Sequence, residues 1–346
     1  MSIHLAPLSE ENAPAARDLL LRFWRQNWPE DFANRFFRWR YFGRPSCQTM
    51  LAFDDTRCVG TIGSVMRSYR MGTDRVRVCE TFDWFVLPEY RSLGLGLKLI
   101  KRIMARPEPI LVIGGTDATR ELLPRLGWRR LADVGNYFLP ISARTFTALG
   151  LRRMLAGSER LARVIPQALR LRNPRKLPAP GASAAISQWS GQIPLGLFPI
   201  PDGAYNLAAI LDRNDLAWLA RAPAEAGQLV VLEFKVNGAP AAISLSRMEQ
   251  RPEGPGAKIL HLQLGTPSTA LAEWVVSETA QDLASRGAGV IFCRASCPWI
   301  SAALRRTGFI GRDPLPAFWW PVGNTIPANP THLTRLVGDD SIEFVL

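Results

Sequence analysis

The most informative part of the chain is residues 78–97, which read Val78-Cys-Glu-Thr-Phe-Asp-Trp-Phe-Val-Leu-Pro-Glu-Tyr-Arg-Ser-Leu-Gly-Leu-Gly-Leu97. The first part predicts a strand, and the turn Arg91-x-x-Gly94-x-Gly96 predicts the start of a helix. Glycine lets a backbone come close to a ligand, and the unpaired N–H groups at a helix N-terminus favour a phosphate. The segment therefore predicts an anion-binding turn, in which Arg91 either orders the turn or adds positive charge.

Two other phosphate-binding motifs do not fit this turn. A dinucleotide fingerprint needs a third glycine, where the chain has Leu99. It also needs an acidic residue about 20 positions further on, where the chain has Thr116. The mononucleotide P-loop needs Gly-Lys-Ser or Gly-Lys-Thr, and the sequence contains neither. The turn therefore belongs to another class of phosphate site.

The elements predicted on either side of the turn occur in an order that returns later in the chain. Residues 1–140 predict a strand, two helices, three strands, the glycine turn with its helix, a strand, a short helix and a last strand. Residues 205–325 predict a short helix, a hairpin, a strand, a helix, a strand, a helix and a strand. Both stretches are typical of α/β domains.

Two anchors support a repeat. Trp39 matches Trp218, which lies 179 residues later, and Leu126-Gly127-Trp128 matches Thr307-Gly308-Phe309 at a similar spacing. A repeat of this length indicates two copies of one domain rather than a solenoid. The alternative is two unrelated α/β domains.

The segment Leu87-Pro88-Glu89-Tyr90-Arg91-Ser92-Leu93-Gly94-Leu95-Gly96 closely resembles the acyl-CoA-binding motif of the GNAT superfamily of N-acyltransferases. Thr116-Asp117 followed by Leu126-Gly127-Trp128 is similar to the second CoA-side motif of that family. Phe37-Arg38-Trp39-Arg40-Tyr41 with Pro45 resembles a subgroup linked to surface-polysaccharide modification. The resemblance implies an α/β fold of two tandem GNAT-like domains, each a mixed, mostly antiparallel sheet flanked by helices.

The resemblance divides the chain into three parts. Residues 1–140 are a GNAT domain with the acyl-CoA motif, residues 141–204 a basic helical linker, and residues 205–346 a second GNAT-like domain. The stretch of the second domain that matches the turn, Leu264-Gly265-Thr266-Pro267-Ser268-Thr269, keeps one glycine. We therefore expect the second domain to be degenerate for CoA, and to complete the acceptor cleft or form a homodimer.

The resemblance also implies how the turn holds its donor, acetyl-CoA or another acyl-CoA. Main-chain groups of Phe85, Val86 and Leu87 pair with the pantetheine arm. A backbone N–H near Val86 or Leu87 polarises the acyl carbonyl, as in an oxyanion hole. The residues expected at the pyrophosphate and the rest of the donor are Arg91, Ser92, Leu93, Gly94, Leu95, Gly96, Leu97 and Thr116.

A carboxylate on the strand before the turn is expected to take the proton of an amine nucleophile. Glu80 lies where histone-type members of the family carry a general base, and Asp83 is its competitor. The two have opposite side-chain parity on a regular strand unless a bulge intervenes. The alternative for either is a structural carboxylate paired with Arg75 or Arg77.

One departure from the family pattern concerns the leaving thiolate. Many members carry a tyrosine as general acid where this chain has Leu123, followed by Pro124. Either the thiolate leaves without a proton donor, or Tyr90 or another residue replaces that tyrosine. The asparagine common at the start of the same helix is replaced by Thr116.

The positive charge is concentrated in one stretch. The chain has a net charge of +12, and residues 141–180 hold nine Lys or Arg against one acidic residue. Apolar residues are interleaved at helical spacing. The stretch favours either an inter-domain helix with its arginines in water or a basic amphipathic helix on an anionic membrane surface. No nucleic-acid motif accompanies the charge, so a nucleic-acid partner is not expected.

The five cysteines and three histidines do not form a metal-ligand pattern, so no metal site is expected. Cys79, Cys293 and Cys297 are expected to be small buried apolar residues. The sequence has no transmembrane run and no secretory signal, so we expect a cytoplasmic protein, with peripheral attachment to the inner membrane face as an option.

The acceptor expected from the resemblance is an amine, either an amino sugar or an exopolysaccharide precursor. Trp24, Trp28, Trp39 and Trp84 suit sugar rings, with core packing as the alternative. Two other functions stay open: a non-catalytic relict scaffold at a membrane, and an aminoacyl or peptidoglycan-type transferase. CoA binding and salt-sensitive RNA binding would separate them.

Overall fold

A computed structural model describes residues 2–24, 28–154, 170–181, 184–188, 205–251, 254–323 and 326–336. The first half of the chain contains six strands and four helices, as the sequence predicts. They are β1 (Ile3–Pro7), α1 (Ala13–Phe23), α2 (Glu30–Phe37), β2 (Cys47–Asp54), β3 (Arg57–Met71), β4 (Asp74–Val86), α3 (Leu95–Met104), β5 (Ile110–Ile113), α4 (Asp117–Arg125) and β6 (Arg129–Pro140). A π-helical turn, Arg38–Phe42, extends α2, and a 3₁₀ turn, Pro88–Leu93, precedes α3.

The rest of the chain repeats this order from β7 to β13, except that one helix, α6, stands where the first half has α1 and α2. Its elements are α5 (Ala143–Met154), β7 (Ala184–Gln188), β8 (Leu207–Ala209), α6 (Arg213–Ala220), β9 (Gln228–Val236), β10 (Ala239–Glu249), β11 (Gly256–Leu264), α7 (Thr269–Ser285), β12 (Val290–Ala295), α8 (Pro298–Thr307), β13 (Ile310–Trp320) and β14 (Thr331–His332). Three elements have no counterpart in the first half: α5, β8 and β14. β8 pairs with both β14 and β3.

All the described strands belong to one mixed sheet whose order is nearly symmetric about its centre. The order is β1-β2-β3-β4-β5-β13-β6-β12-β11-β10-β9-β7. Each strand on one side of the centre has a counterpart from the other half at the same distance on the other side. β4 and β5 are parallel, and so are their counterparts β11 and β12. The fold is therefore two tandem GNAT-like halves.

The two halves exchange their last strands at the centre of the sheet. β6 pairs antiparallel with β12, with Leu139 opposite Ile291, and also with β13. β13 in turn pairs antiparallel with β5, with Ala317 opposite Ile113. Since neither half closes its sheet with its own last strand, the halves share one continuous structure.

The stretch expected to be a basic linker is only partly described. α5 begins it, and β7 adds a strand beside β9 at the edge of the sheet. Residues 155–169 and 189–204 lie outside the described part of the chain, and with them most of the predicted amphipathic helix. Within the described residues, no helix is both long enough and apolar enough to cross a membrane.

Candidate active site

The site predicted in the first half lies where two parallel strands diverge. β4 and β5 pair at Cys79 with Ile110 and at Glu80 with Leu111. Beyond Glu80, β4 stays paired with β3 as far as Val86, whereas β5 pairs with β13 on its other edge. An opening therefore separates the end of β4 from β5.

The glycine turn lies at the end of β4, beside this opening. The 3₁₀ turn ends at Gly94, whose φ of +70° lies in the left-handed region that favours glycine. The first N–H groups of any helix have no intrahelical partner, and in the ten-residue α3 no side chain caps them. Ser92 and Leu93 are exposed, and Leu95 anchors the helix in the core. These features give the turn the form expected of a phosphate site.

Arg91 orders the turn. Its Nε donates to the Val86 carbonyl at 3.1 Å, and its guanidinium carbon lies 5.9 Å from the centre of the Phe85 ring. The side chain thus ties the turn back to the end of β4. This supports the ordering role, the first of the two roles considered for Arg91.

The ladder between β3 and β4 distinguishes Val86 from Leu87. The Leu87 N–H donates to the Val59 carbonyl at 2.9 Å, so β3 engages it. In an antiparallel ladder, bonded and non-bonded pairs alternate, so the polar groups of Val86, opposite Gly60, point away from β3. They face the opening between β4 and β5. Of the two N–H groups considered for the acyl carbonyl, that of Val86 has the suitable direction.

Glu80 lies in a buried polar cluster on β3 and β4. Its two carboxylate oxygens accept from Arg67 Nη1 at 3.1 and 3.3 Å, and the Tyr69 hydroxyl donates to Oε1 at 2.6 Å. Arg67 Nη2 also meets Asp215 of α6 at 3.3 Å. The arginine beside Glu80 is therefore Arg67, on the neighbouring strand.

Asp83 lies in a second buried cluster, formed with α1 and the π-helical turn. Its Oδ2 accepts from Arg40 Nε at 3.0 Å and from the Tyr41 hydroxyl at 2.5 Å. Trp24 Nε1 donates to Oδ1 at 3.4 Å. The Asp83 carboxylate thus joins β4 to the end of α1 and to the π-helical turn.

A β-bulge explains why Asp83 faces the π-helical turn. Arg40 contacts both the Phe82 ring, at 5.1 Å, and the Asp83 carboxylate, although neighbours on a regular strand point to opposite faces. The register shifts between Thr61 and Gly63, and Asp83 has a φ of +47°. β4 therefore contains a bulge of the kind that would change the side-chain parity of Asp83 relative to Glu80.

Two tyrosines at these carboxylates remain protonated. Burial, followed by the charge of Glu80, raises the pKa of Tyr69 well above its usual value. Burial, followed by the charge of Asp83, does the same to the pKa of Tyr41. Both hydroxyls therefore act as hydrogen-bond donors. Sequence reasoning missed Arg67 and Tyr69, although their alternation places both on one face of β3. It included Arg40 and Tyr41 in the Phe37–Tyr41 motif but did not predict their contact with Asp83.

The predicted positions on the second CoA-side motif are structural in part. Thr116 caps α4, since its Oγ1 accepts from the Thr119 N–H at 3.4 Å. Leu123, at the position of the missing tyrosine, is fully buried in the core. The Tyr90 hydroxyl, considered as its replacement, donates to Asp54 Oδ2 at 2.9 Å. That bond is the first cause of a raised pKa at Tyr90.

The matching turn of the second half differs at the helix start. Ser268 caps α7, with its Oγ accepting from the Leu271 N–H at 3.3 Å. Glu80 lies opposite Leu111 in the ladder of β4 and β5, and Lys258 lies opposite Phe292 in the corresponding ladder of β11 and β12. Lys258 thus takes the position that Glu80 has in the first half. Lys258 on β11 forms an ion pair with Glu249 on β10 at 2.8 Å. In the first half the acidic residue is on β4 and the basic residue on β3, so the two charges are exchanged between the corresponding strands.

Cys79, Cys293 and Cys297 are buried, and so are most of the described tryptophans. Burial raises the pKa of Cys79 to about 11 and those of Cys293 and Cys297 to about 12, so these thiols are not activated nucleophiles. Among the described residues, no group of three metal-ligating side chains is present. Trp24 and Trp39 are buried, whereas Trp28 and Trp84 are partly exposed.

Comparisons with known proteins agree with this architecture. Residues 13–108 match the sequence model of the Acetyltransferase (GNAT) family. No curated protein matches the chain.

Solved structures show the same fold at low sequence identity. N-myristoyltransferase of Saccharomyces cerevisiae, with bound myristoyl-CoA, has a TM-score of 0.63 at 12% identity, covering 92% of this chain and 82% of that one. A probable N-acyltransferase from Enterococcus faecalis V583 has a TM-score of 0.54 at 9% identity, covering 93% and 73%. A GCN5-related N-acetyltransferase from Anabaena variabilis has a TM-score of 0.54 at 12% identity, with the same coverage. The GNAT match thus covers residues 13–108, and the structural likeness extends the fold over the two halves.

Proposed function

We propose that this protein is an N-acyltransferase that uses acetyl-CoA or another acyl-CoA as donor and an amine as acceptor. The observation that carries this proposal is the opening between β4 and β5, with the left-handed Gly94 turn and the uncapped start of α3 beside it. The whole of this arrangement except β5 falls within the GNAT match, which ends at residue 108.

The donor lies along the free edge of β4. The pantetheine arm lies along the main chain from Phe85 to Leu87, and the pyrophosphate binds at the N–H groups from Ser92 to Leu97. The exposed turn leaves room for the nucleotide, and the helix dipole of α3 favours its negative charge. Arg91 holds the turn to β4, so the two parts of the donor site keep a fixed separation.

The reaction transfers the acyl group from sulfur to nitrogen. The amine nitrogen attacks the thioester carbonyl carbon, and the Val86 N–H stabilises the negative oxygen of the tetrahedral intermediate. Collapse of the intermediate breaks the C–S bond, releases the CoA thiolate and leaves an amide. The proton of the amine passes to Glu80, and the thiolate takes its proton from solvent.

Charge balance favours Glu80 over Asp83 as the proton acceptor. Arg67 lies between Glu80 and Asp215, so it keeps a carboxylate partner when Glu80 takes a proton. Asp83 is held by Arg40, Tyr41 and Trp24, and its role is to fix the bulge.

The acceptor we propose is an amino sugar or a related saccharide precursor. It follows from the likeness of the Phe37–Tyr41 motif to polysaccharide-linked members. Trp39, Arg40 and Tyr41 of that motif are buried, so stacking on a sugar falls to the partly exposed Trp28 and Trp84. Trp84 lies close to the start of α3, near Gly96.

The first experiment is a calorimetric titration of acetyl-CoA into the protein and two matched variants. Gly94 and Gly72 both have φ near +65°, and a Cβ at either position meets nothing within 4 Å. Alanine at either site therefore costs about 1 kcal/mol of backbone strain, but only Gly94 lies in the donor turn. We expect Gly94→Ala to weaken binding at least tenfold and Gly72→Ala to bind like the wild type.

A second assay measures release of the CoA thiol with glucosamine and other small amines. Turnover with an amine supports the proposal. If the wild type does not bind acetyl-CoA or a longer acyl-CoA, the proposal is wrong, and the relict-scaffold alternative takes its place.

A further inference from the structure

The second half has an opening like that of the first half, and the chain's own C-terminal segment fills it. β11 and β12 pair from Ala257 to Ile259 and then diverge, as β4 and β5 do. The segment Thr331–Leu336, here named the C-terminal strap, contacts both strands beyond that point. Thr334 forms an antiparallel bridge with Ala295 of β12, and the Leu336 N–H donates to the Leu260 carbonyl of β11 at 3.2 Å.

Ser296 clamps the strap to the end of β12. Its N–H donates to the Leu333 carbonyl at 3.0 Å, and its Oγ accepts from the Leu333 N–H at 2.8 Å. The same Oγ donates to the Thr331 carbonyl at 2.7 Å. All six strap residues are buried. The strap is thus an integral part of the second half.

The end of the strap reaches the proposed proton acceptor of the first half. The Leu336 carbonyl accepts from Arg67 Nη1 at 2.9 Å, and the same nitrogen bonds both oxygens of Glu80. Asp215 holds the other end of the guanidinium. Three groups from distant parts of the chain therefore fix one buried arginine.

We propose that the C-terminal strap is a positioning element for the first-half site. By closing the second opening, the strap places the Leu336 carbonyl on Arg67, and Arg67 then sets the position of the Glu80 carboxylate. The donor site works at full rate only with the strap in place, and the second half takes no donor of its own. The proposal rests on the proposed function only for the role of Glu80.

The physical reason is geometric. A buried guanidinium with several acceptors has one favoured orientation, and loss of one acceptor lets it move toward the others. Proton transfer depends on hydrogen-bond reach, so a small displacement of the base slows turnover. Donor binding uses the turn and α3, whereas the strap's hydrogen bonds described above go to Arg67, to β11 and to the end of β12, so we expect donor affinity to be independent of the strap.

The test compares two serines that lie five residues apart. Ser296→Ala removes the clamp, whereas Ser301→Ala removes an Oγ bond to the carbonyl of Ala295, the bridge partner of Thr334, and leaves every hydrogen bond between Ser296 and the strap in place. Amide hydrogen exchange at residues 331–336 reports on the strap directly. We expect faster exchange in Ser296→Ala and wild-type exchange in Ser301→Ala, with Ser296→Thr restoring the clamp.

Turnover is measured with acetyl-CoA and glucosamine, and as hydrolysis of acetyl-CoA where water replaces the amine. We expect kcat to fall about tenfold in Ser296→Ala, less than the ~10² to 10⁴ of a complete general base. KM for acetyl-CoA should stay within about twofold, because α3 is untouched. Acetyl-CoA should bind with a stoichiometry of one per chain.

Coupling between two sites is reciprocal, so a change in the first half must reach the strap. Arg67→Met should accelerate amide exchange in the strap even if no acyl transfer is found. Faster strap exchange in Ser296→Ala with wild-type kcat would overturn the proposal, as would unchanged strap exchange in both Ser296→Ala and Arg67→Met. Absence of acetyl-CoA binding in the wild type would refute the proposed function alone.

Discussion

Trp39 and Trp218 stack in parallel at the junction of the two halves, and each indole N–H donates to the main-chain carbonyl of the other. The ring centres lie 4.7 Å apart at 8°, and both hydrogen bonds are 2.8 Å long. Arg44 lies over the outer face of Trp218 and Arg247 over that of Trp39, at 4.8 and 5.3 Å. The anchors of the sequence repeat therefore meet each other about a local two-fold axis.

This reciprocal contact predicts equal effects of two substitutions. Trp39→Phe and Trp218→Phe each remove one buried hydrogen bond from an indole N–H to a main-chain carbonyl, which costs about 0.5–1.5 kcal/mol. We expect both to lower the urea midpoint by similar amounts, and the double variant to lose less than the sum because the rings are in contact. Trp128→Phe is the control, since the Trp128 indole nitrogen has no partner among the described residues. Additive losses would show that the two rings do not act as a unit.

The two carboxylates of β4 are expected to differ in the property that each supports. Glu80→Gln should lower acyl transfer by ~10² to 10⁴ while acetyl-CoA still binds, because Arg67 keeps Asp215. Asp83→Asn removes the charge paired with the buried Arg40, so stability should fall by about 3–5 kcal/mol. Transfer rates and thermal unfolding of both variants check this. A stable Asp83→Asn variant with no transfer activity would reverse the roles.

Gly63 is expected to be indispensable for the shape of the bulge. A Cβ at this position would lie 2.6 Å from the Phe82 ring, which packs beneath Arg40 and Arg44. Gly63→Ala should therefore displace Phe82 and lower the unfolding free energy by about 1–3 kcal/mol. The double change Gly63→Ala with Phe82→Leu gives the ring space back, and its recovery of stability, measured in urea, tests the contact. If the single variant unfolds like the wild type, the packing described for Phe82 is wrong.

Acid is expected to destabilise the protein through the strap. Burial lowers the pKa of His332 from 6.5 to about 4, and the ring stacks on Tyr205 and lies 5.2 Å from His261. The unfolded chain binds this proton between pH 6.5 and about 4 and the folded protein does not, so stability falls as pH drops through that window. The loss amounts to about 3 kcal/mol below pH 4.

Urea unfolding at pH 7, 5.5 and 4.5 measures this effect. His332→Gln should flatten the pH dependence of the midpoint, and His4→Gln, on the exposed face of β1, should leave it as in the wild type. His261 will contribute in the same direction, because burial and the neighbouring His332 lower its pKa as well. A wild-type pH dependence in His332→Gln would rule out this assignment.

The sequence predicted most elements because periodicity and turn residues act locally. The apolar spacing of residues 269–285 predicts a helix, and α7 has these bounds. The partner of Glu80 was not predicted, since Arg75 and Arg77 are near in sequence whereas Arg67 is near only through the register of β3 and β4. The exchange of β6 and β13 was also missed, because each half has the same order of elements whether or not it keeps its own last strand.

The C-terminal strap could not be predicted from the sequence for a different reason. β14 contains two residues and β8 three, too few for a periodic pattern. The position of β14 depends on Ser296, and that of β8 on β3 and β14, which are all separate in sequence. The left-handed turn at Gly94 was recognisable because glycine there marks a backbone conformation.

The exchanged last strands have a consequence for how the protein is made. β6 finds its partners, β12 and β13, only after residue 290. During synthesis both edges of β6 therefore stay unpaired while about half of the chain is added, and unpaired apolar edges promote aggregation. We therefore expect slow folding that is completed only after the second half has emerged, and a nascent first half that depends on shielding of β6 until then.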